Sequence, residues 1–157
     1  MHTLSVELPG LPSGDPLPNE YAGGISHGLN RSLPLHVTGV PSAARSVALA
    51  VIDVDARNFV HWLVVDLPPE DFALSVGASG SELPGGAREL DNTVGRRGYL
   101  GPNPPVGSGQ HRYVAHVYAL DVNALDVDER TTLEDFRLAA ETHSLATGED
   151  YWTFENR

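Results

Sequence analysis

The chain has 157 residues, with 21 Asp and Glu against 10 basic residues, all of them Arg, for a formal charge of −11 and no cysteine. A disulfide framework and thiolate-based zinc or redox sites are therefore excluded, and the acidic balance opposes the phosphate field that nucleic-acid binders neutralise with clustered Lys and Arg. With no polybasic stretch, no basic-then-apolar leader and no apolar run near the roughly 20 residues of a membrane span, we expect one cytoplasmic domain over 1–157, with no nucleic-acid partner and no integral membrane association.

In chain order, Thr3 to Leu8 alternates weakly, and Pro9, Pro12, Pro16 and Pro18 then forbid continuous regular structure up to Tyr21. Ser46–Asp53, Phe59–Leu67 and Arg112–Asp121 are short, rich in Val, Ile, Leu and aromatics, and apolar on both faces. Such strands belong in the middle of a layered structure, so a central sheet covered on both sides is expected. Leu74 to Gly109 is an excursion of turns rich in Gly and Pro, and long ordered loops of this kind are usually functional. A helix is expected over Thr132–Ala146, with Thr131 and Glu134 as a capping box, Gly148 as its stop, and Leu133, Phe136, Ala140 and His143 on one face.

Four groups of polar residues stand out against this outline. Asp53 and Asp55, two apart at a strand end, would point to one side about 6.5–7 Å apart; they either face a site or cap the turn that begins at Ala56. His61 would share a face with Phe59, Leu63, Val65 and Leu67, as a site residue or as a core histidine bonded to a backbone carbonyl; Trp62, on the opposite face, reads as core. The string Gly95 to Tyr113 (GRRGYLGPNPPVGSGQHRY) fixes backbone N–H groups in a loop, and such nests bind anions. His111 and Tyr113 share a face and Arg112 points the other way; the competing reading is a rigid turn with a salt-bridged Arg.

Asp53 to Ala56, the Phe59-Val-His-Trp62 run and GPNPPVGSGQHRY resemble, in order and spacing, the motifs of the phosphatidylethanolamine-binding protein family. Asn30 to Leu35 (NRSLPL), Val117 to Asp121 (VYALD) and the stretch from His143 to Arg157 extend the resemblance over nearly the whole chain, toward the bacterial Raf kinase inhibitor-like branch. It implies a mainly β fold with a large antiparallel sheet, a second smaller sheet and one or two peripheral helices. It also implies a shallow pocket for a phosphate-like, carboxylate or phospholipid-headgroup anion. On that reading Asp53, Asp55, His61, His111 and Tyr113 converge on one cavity, with Gly101, Asn103, Pro104 and Gly107 around it. His61, His111, Tyr113 and the amides near Gly101 and Gly107 would donate to the anion. Two departures stand out: the family's two prolines around the acidic pair are Val54 and Ala56 here, and Asn103 occupies a position that is often small or Cys in bacterial relatives.

The implied function is a binding module without a cofactor, a homodimer in the bacterial branch, and in eukaryotic relatives tied to kinase regulation. Two alternatives are an acid–base hydrolase of a small phosphoester, for which the motifs show no evident activated nucleophile, and a protease or kinase inhibitor working through the Leu74 to Gly95 loops. The metal-ligand spacings HExxH and HxH are absent.

Overall fold

The structure, a computed structural model, describes residues 2–157. Nine strands run in chain order: β1 (His2–Thr3), β2 (Ser5–Glu7), β3 (His36–Thr38), β4 (Ser46–Asp53), β5 (Phe59–Leu67), β6 (Phe72–Ala73), β7 (Arg88–Glu89), β8 (His111–Leu120) and β9 (Ser144–Phe154). A helix, α1 (Leu133–Thr142), lies between β8 and β9, and two short 3-10 turns span Asn19–Tyr21 and Gly24–Ser26. The larger sheet has the order β1-β9-β8-β4-β5-β7, antiparallel except where β1 joins β9; β2-β3-β6 form the smaller antiparallel sheet. The fold is thus mainly β with two sheets, as the sequence led us to expect.

Doubly apolar strands explain why the large sheet is covered on both sides. Val47, Leu49 and Val51 of β4 belong to one core cluster, shared with Leu4, Val6, Leu35 and Val37 of the smaller-sheet side. Ala48, Ala50 and Ile52 alternate into a second cluster, which takes Phe136 and Ala140 from α1. Phe136 is fully buried, and seating it contributes about 1.5–3 kcal/mol.

The expected strands β4 and β5 have the bounds read from sequence, and β8 is displaced by one residue. The helix differs more. It is capped by Thr132, whose hydroxyl accepts from the Asp135 amide, and it ends at Thr142. Ser144 to Ala146, expected to be helical, instead begin β9, and Gly148 is a strand residue and not a helix stop. The reason is tertiary: β9 pairs with β8 from Leu120↔Ser144 to His111↔Phe154, and that ladder outweighs a few tenths of a kcal/mol of helix propensity per residue. His143 closes the helix and bonds Asp121 at 2.8 Å.

Candidate functional site

One end of the large sheet, where β4 finishes and β8 begins, carries a cavity of about 170 Å³. Asp53 pairs with Phe59 across β4 and β5 and with Tyr113 across β4 and β8, so all three stand on one face. His61, two residues after Phe59, keeps that face, and the ladder becomes irregular at this point. Val51 pairs with Trp62 but Ile52 with Val60, leaving His61 as the unpaired residue of a bulge. The bulge reverses the expected alternation: Leu63 and Val65 pack on the helix side, whereas Trp62 packs in the other cluster and His61 meets the Tyr113 ring edge-on at 5.2 Å. Phe59 flanks His61 with ring centroids 4.7 Å apart.

The loop after Tyr99 forms the opposite wall. The His61 Nδ1–H donates to the Leu100 carbonyl at 2.5 Å, which leaves Nε2 as the ring nitrogen available to the cavity. Burial lowers the His61 pKa, against a smaller upward pull from the Leu100 carbonyl and the Asp53 charge. The imidazole is therefore neutral at pH 7 and its Nε2 is an acceptor. The Gly101 amide donates to Asn30 Oδ1 at 2.7 Å, and Asn103 Oδ1 accepts from the Ser26 amide at 3.0 Å. Gly101, Asn103 and Pro104 all line the cavity, but the Gly101 amide and the Asn103 oxygen are already engaged.

His111 and Asp53 form a buried pair, 7% and 3% exposed, with Nδ1 to Oδ2 at 2.6 Å. The other Asp53 oxygen accepts from the Asp55 amide at 2.9 Å, and His111 Nε2 lies 3.0 Å from Ser108 Oγ. Tyr113 is 1% exposed, and its hydroxyl is buried with no hydrogen-bond partner among the described residues. Burial, with the Asp53 charge, pushes its pKa up, so the phenol keeps its proton.

Of the residues read from sequence, Asp53, His61, Gly101, Asn103, Pro104, His111 and Tyr113 line the cavity, whereas Asp55 and Gly107 do not. Asp55 is turned outward, accepting from the Arg112 backbone at 2.8 Å and from its guanidinium at 2.9 and 3.1 Å. Those bonds hold its carboxyl below the usual range. The two-residue rule fails because β4 ends at Asp53 and the chain enters a turn, with Arg57 and Asn58 at positive φ. Val54 and Ala56 form that turn without the prolines, Ala56 N–H returning to the Asp53 carbonyl at 3.3 Å. Gly107 lies in an exposed turn outside the cavity lining. Phe59, Asn30 and Ser108 were not read from sequence as site residues. A Ser three residues before a His in the most distinctive string was the available signal for Ser108.

A strand-end cavity thus lies beneath a Gly/Pro loop on a two-sheet β fold, with a histidine–aspartate pair in its wall. Residues 9–155 match the family model described as phosphatidylethanolamine-binding protein, and the chain belongs to that family. A UPF0098 protein of Methanothermobacter thermautotrophicus is 39% identical over 132 residues, covering 82% of this chain and 83% of that one. The crystal structure of Escherichia coli YbcL, described as a member of the mammalian PEBP family, superposes with a TM-score of 0.90 at 30% identity, covering 98% of this chain and 99% of that chain. A Mycobacterium tuberculosis protein named as lipoprotein LppC is 34% identical over 121 residues, 76% of this chain and 56% of that protein. Among the described residues no helix is long and apolar enough to cross a membrane, and no group of three or more His, Cys, Asp or Glu is placed to hold a metal ion.

Proposed function

We propose that the cavity binds a small anion of the phosphate, carboxylate or phospholipid-headgroup class, and that a phosphate or phosphate monoester enters as its protonated monoanion. The observation that carries this reading is the wall of a cavity of about 170 Å³ that holds His61, whose Nε2 is left to accept, and Tyr113, whose buried hydroxyl makes no hydrogen bond and has the Asp53 carboxylate as its charged neighbour. A monoprotonated phosphate monoester satisfies both, its P–O accepting from Tyr113 and its P–OH donating to His61. Leaving a buried hydroxyl unpaired costs about 1–3 kcal/mol, which such a ligand relieves. Both His111 nitrogens and the Gly101 amide, expected as donors, are engaged within the protein and act by positioning, whereas the Gly107 amide bonds no described residue.

Calorimetry with inorganic phosphate and with phosphoethanolamine, at pH 5.5 and 8, tests the reading. Affinity should rise as the ligand gains its proton near pH 6 and fall about two- to tenfold in Tyr113→Phe, the share of one hydrogen bond. Equal affinity in wild type, Tyr113→Phe and His61→Ala would place the anion elsewhere. The reading also takes the protein as a cytoplasmic homodimer, as the bacterial branch of the family suggests. Light scattering tests the dimer, and cell fractionation tests the compartment, pointedly so given a relative named as a lipoprotein.

A further inference from the structure

Ser108 stands in line with His111 and Asp53. Its Oγ is 3.0 Å from His111 Nε2, and the opposite ring nitrogen is 2.6 Å from Asp53 Oδ2. The Ser108 residue is exposed while the histidine and aspartate are buried. A reachable hydroxyl, a base within hydrogen-bond range and a carboxylate that orients the base are the three parts of an activated serine nucleophile. The aspartate is itself held by the Asp55 amide at 2.9 Å, and the His111 ring stacks on Tyr113 with centroids 6.4 Å apart. Neither ring nor carboxylate is free to swing away.

The loop around the hydroxyl suits an acyl group. Gly107 and Gly109 flank Ser108 at φ 86° and 83°, and no atom lies within 4 Å of where a side chain would begin on either. Their amides bond no described residue, so they are available to a developing oxyanion. The Ser108 hydroxyl also lies 2.6 Å from the Pro105 carbonyl. One proton thus has two acceptors in range, and the reactive arrangement is the one that places it on Nε2.

We propose that Ser108, with His111 as general base and Asp53 as the group that positions it, hydrolyses small carboxylic esters through an acyl-enzyme. Ser108 Oγ adds to the ester carbonyl carbon as its proton moves to Nε2. The ester C–O bond breaks, and the departing alkoxide takes the proton from Nε2. Water then gives a proton to Nε2 and adds to the acyl carbon, and the C–Oγ bond breaks as Oγ recovers the proton. One ester and one water yield one carboxylic acid and one alcohol. The adjoining cavity of about 170 Å³ suits a short acyl group, with apolar contacts from Phe59, Leu100, Pro104 and Pro105. This activity does not depend on the anion-binding reading, because the reacting hydroxyl lies outside the donor–acceptor pair of Tyr113 and His61.

The test is covalent labelling with an alkyl fluorophosphonate, mapped by mass spectrometry, beside hydrolysis of p-nitrophenyl acetate. The expected result is a single adduct on Ser108, absent in Ser108→Ala, and a kcat/KM at least roughly a hundredfold lower in both Ser108→Ala and His111→Gln. Ser108 is on an exposed loop, so Ser108→Ala should fold as the wild type does, and its circular dichroism checks this. No adduct on Ser108, or hydrolysis by Ser108→Ala at the wild-type rate, overturns the proposal.

Discussion

Asn30 clamps Gly101. The Asn30 side chain accepts the Gly101 amide at 2.7 Å and donates to the Tyr99 carbonyl at 3.4 Å, from a residue at φ 53° in the segment before β3. The cavity wall between Tyr99 and Gly101 is therefore held by a side chain some seventy residues earlier. Replacing Asn30 with Gly, which accepts that φ without strain, should cost about 1–3 kcal/mol by leaving the Gly101 donor unpaired. Urea unfolding would measure the loss, and faster exchange of the Gly101 amide would locate it.

Asp55 and Asp53 should separate cleanly by mutation. Asp55 contacts Arg112 on the outer side, so Asp55→Asn should leave phosphate affinity within about twofold of wild type. Asp53→Asn, which alters the His111 contact in the cavity wall, should change it more. Parallel calorimetry on the two variants would show this, and equal losses in both would contradict the outward placement of Asp55.

Stability should fall as pH drops below the ordinary histidine range. His61 has its pKa lowered chiefly by burial, and so has His116. Below about pH 6.5 the unfolded chain takes up protons that the folded state still refuses, so stability is lost until the folded pKa values are reached, and then levels. Asp55 acts in a lower window, its contribution present above about pH 4 and lost as pH falls through its depressed folded value. Urea midpoints at pH 7.5 and 5.5 should differ in the wild type, and the difference should shrink in His61→Gln.

Gly148→Ala should destabilise the edge of the large sheet. A Cβ at this position would lie 2.3 Å from the Leu4 carbonyl oxygen, so a backbone segment must move. A cost of about 1–3 kcal/mol is expected for such overpacking, read as a lower thermal midpoint. An unchanged midpoint would mean that β1 and β2 do not cross β9 this closely.

Much of this protein was determined by local sequence. The central strands were legible because apolar residues on both faces, over the length of β4 and β5, have a low-energy home only inside a covered sheet. The residues of the cavity wall were legible as a set, since Phe59-Val-His-Trp62 and the Gly/Pro string ending in His111-Arg-Tyr113 resemble a family's motifs. Their contacts and facing were decided only by tertiary structure. Leu63 and Val65 leave the face that His61 shares with Phe59 because a one-residue bulge opposite Val51 and Ile52 interrupts the period of two. Asp55 leaves the cavity because its strand ends two residues earlier and Arg112 is waiting on the outside. The helix stops at Thr142 because β8 offers the following residues a full ladder. Spacing along the chain fixes which way a side chain points only while the strand continues; pairings 58 residues apart, such as His111 with Asp53, follow from the packing of the whole fold.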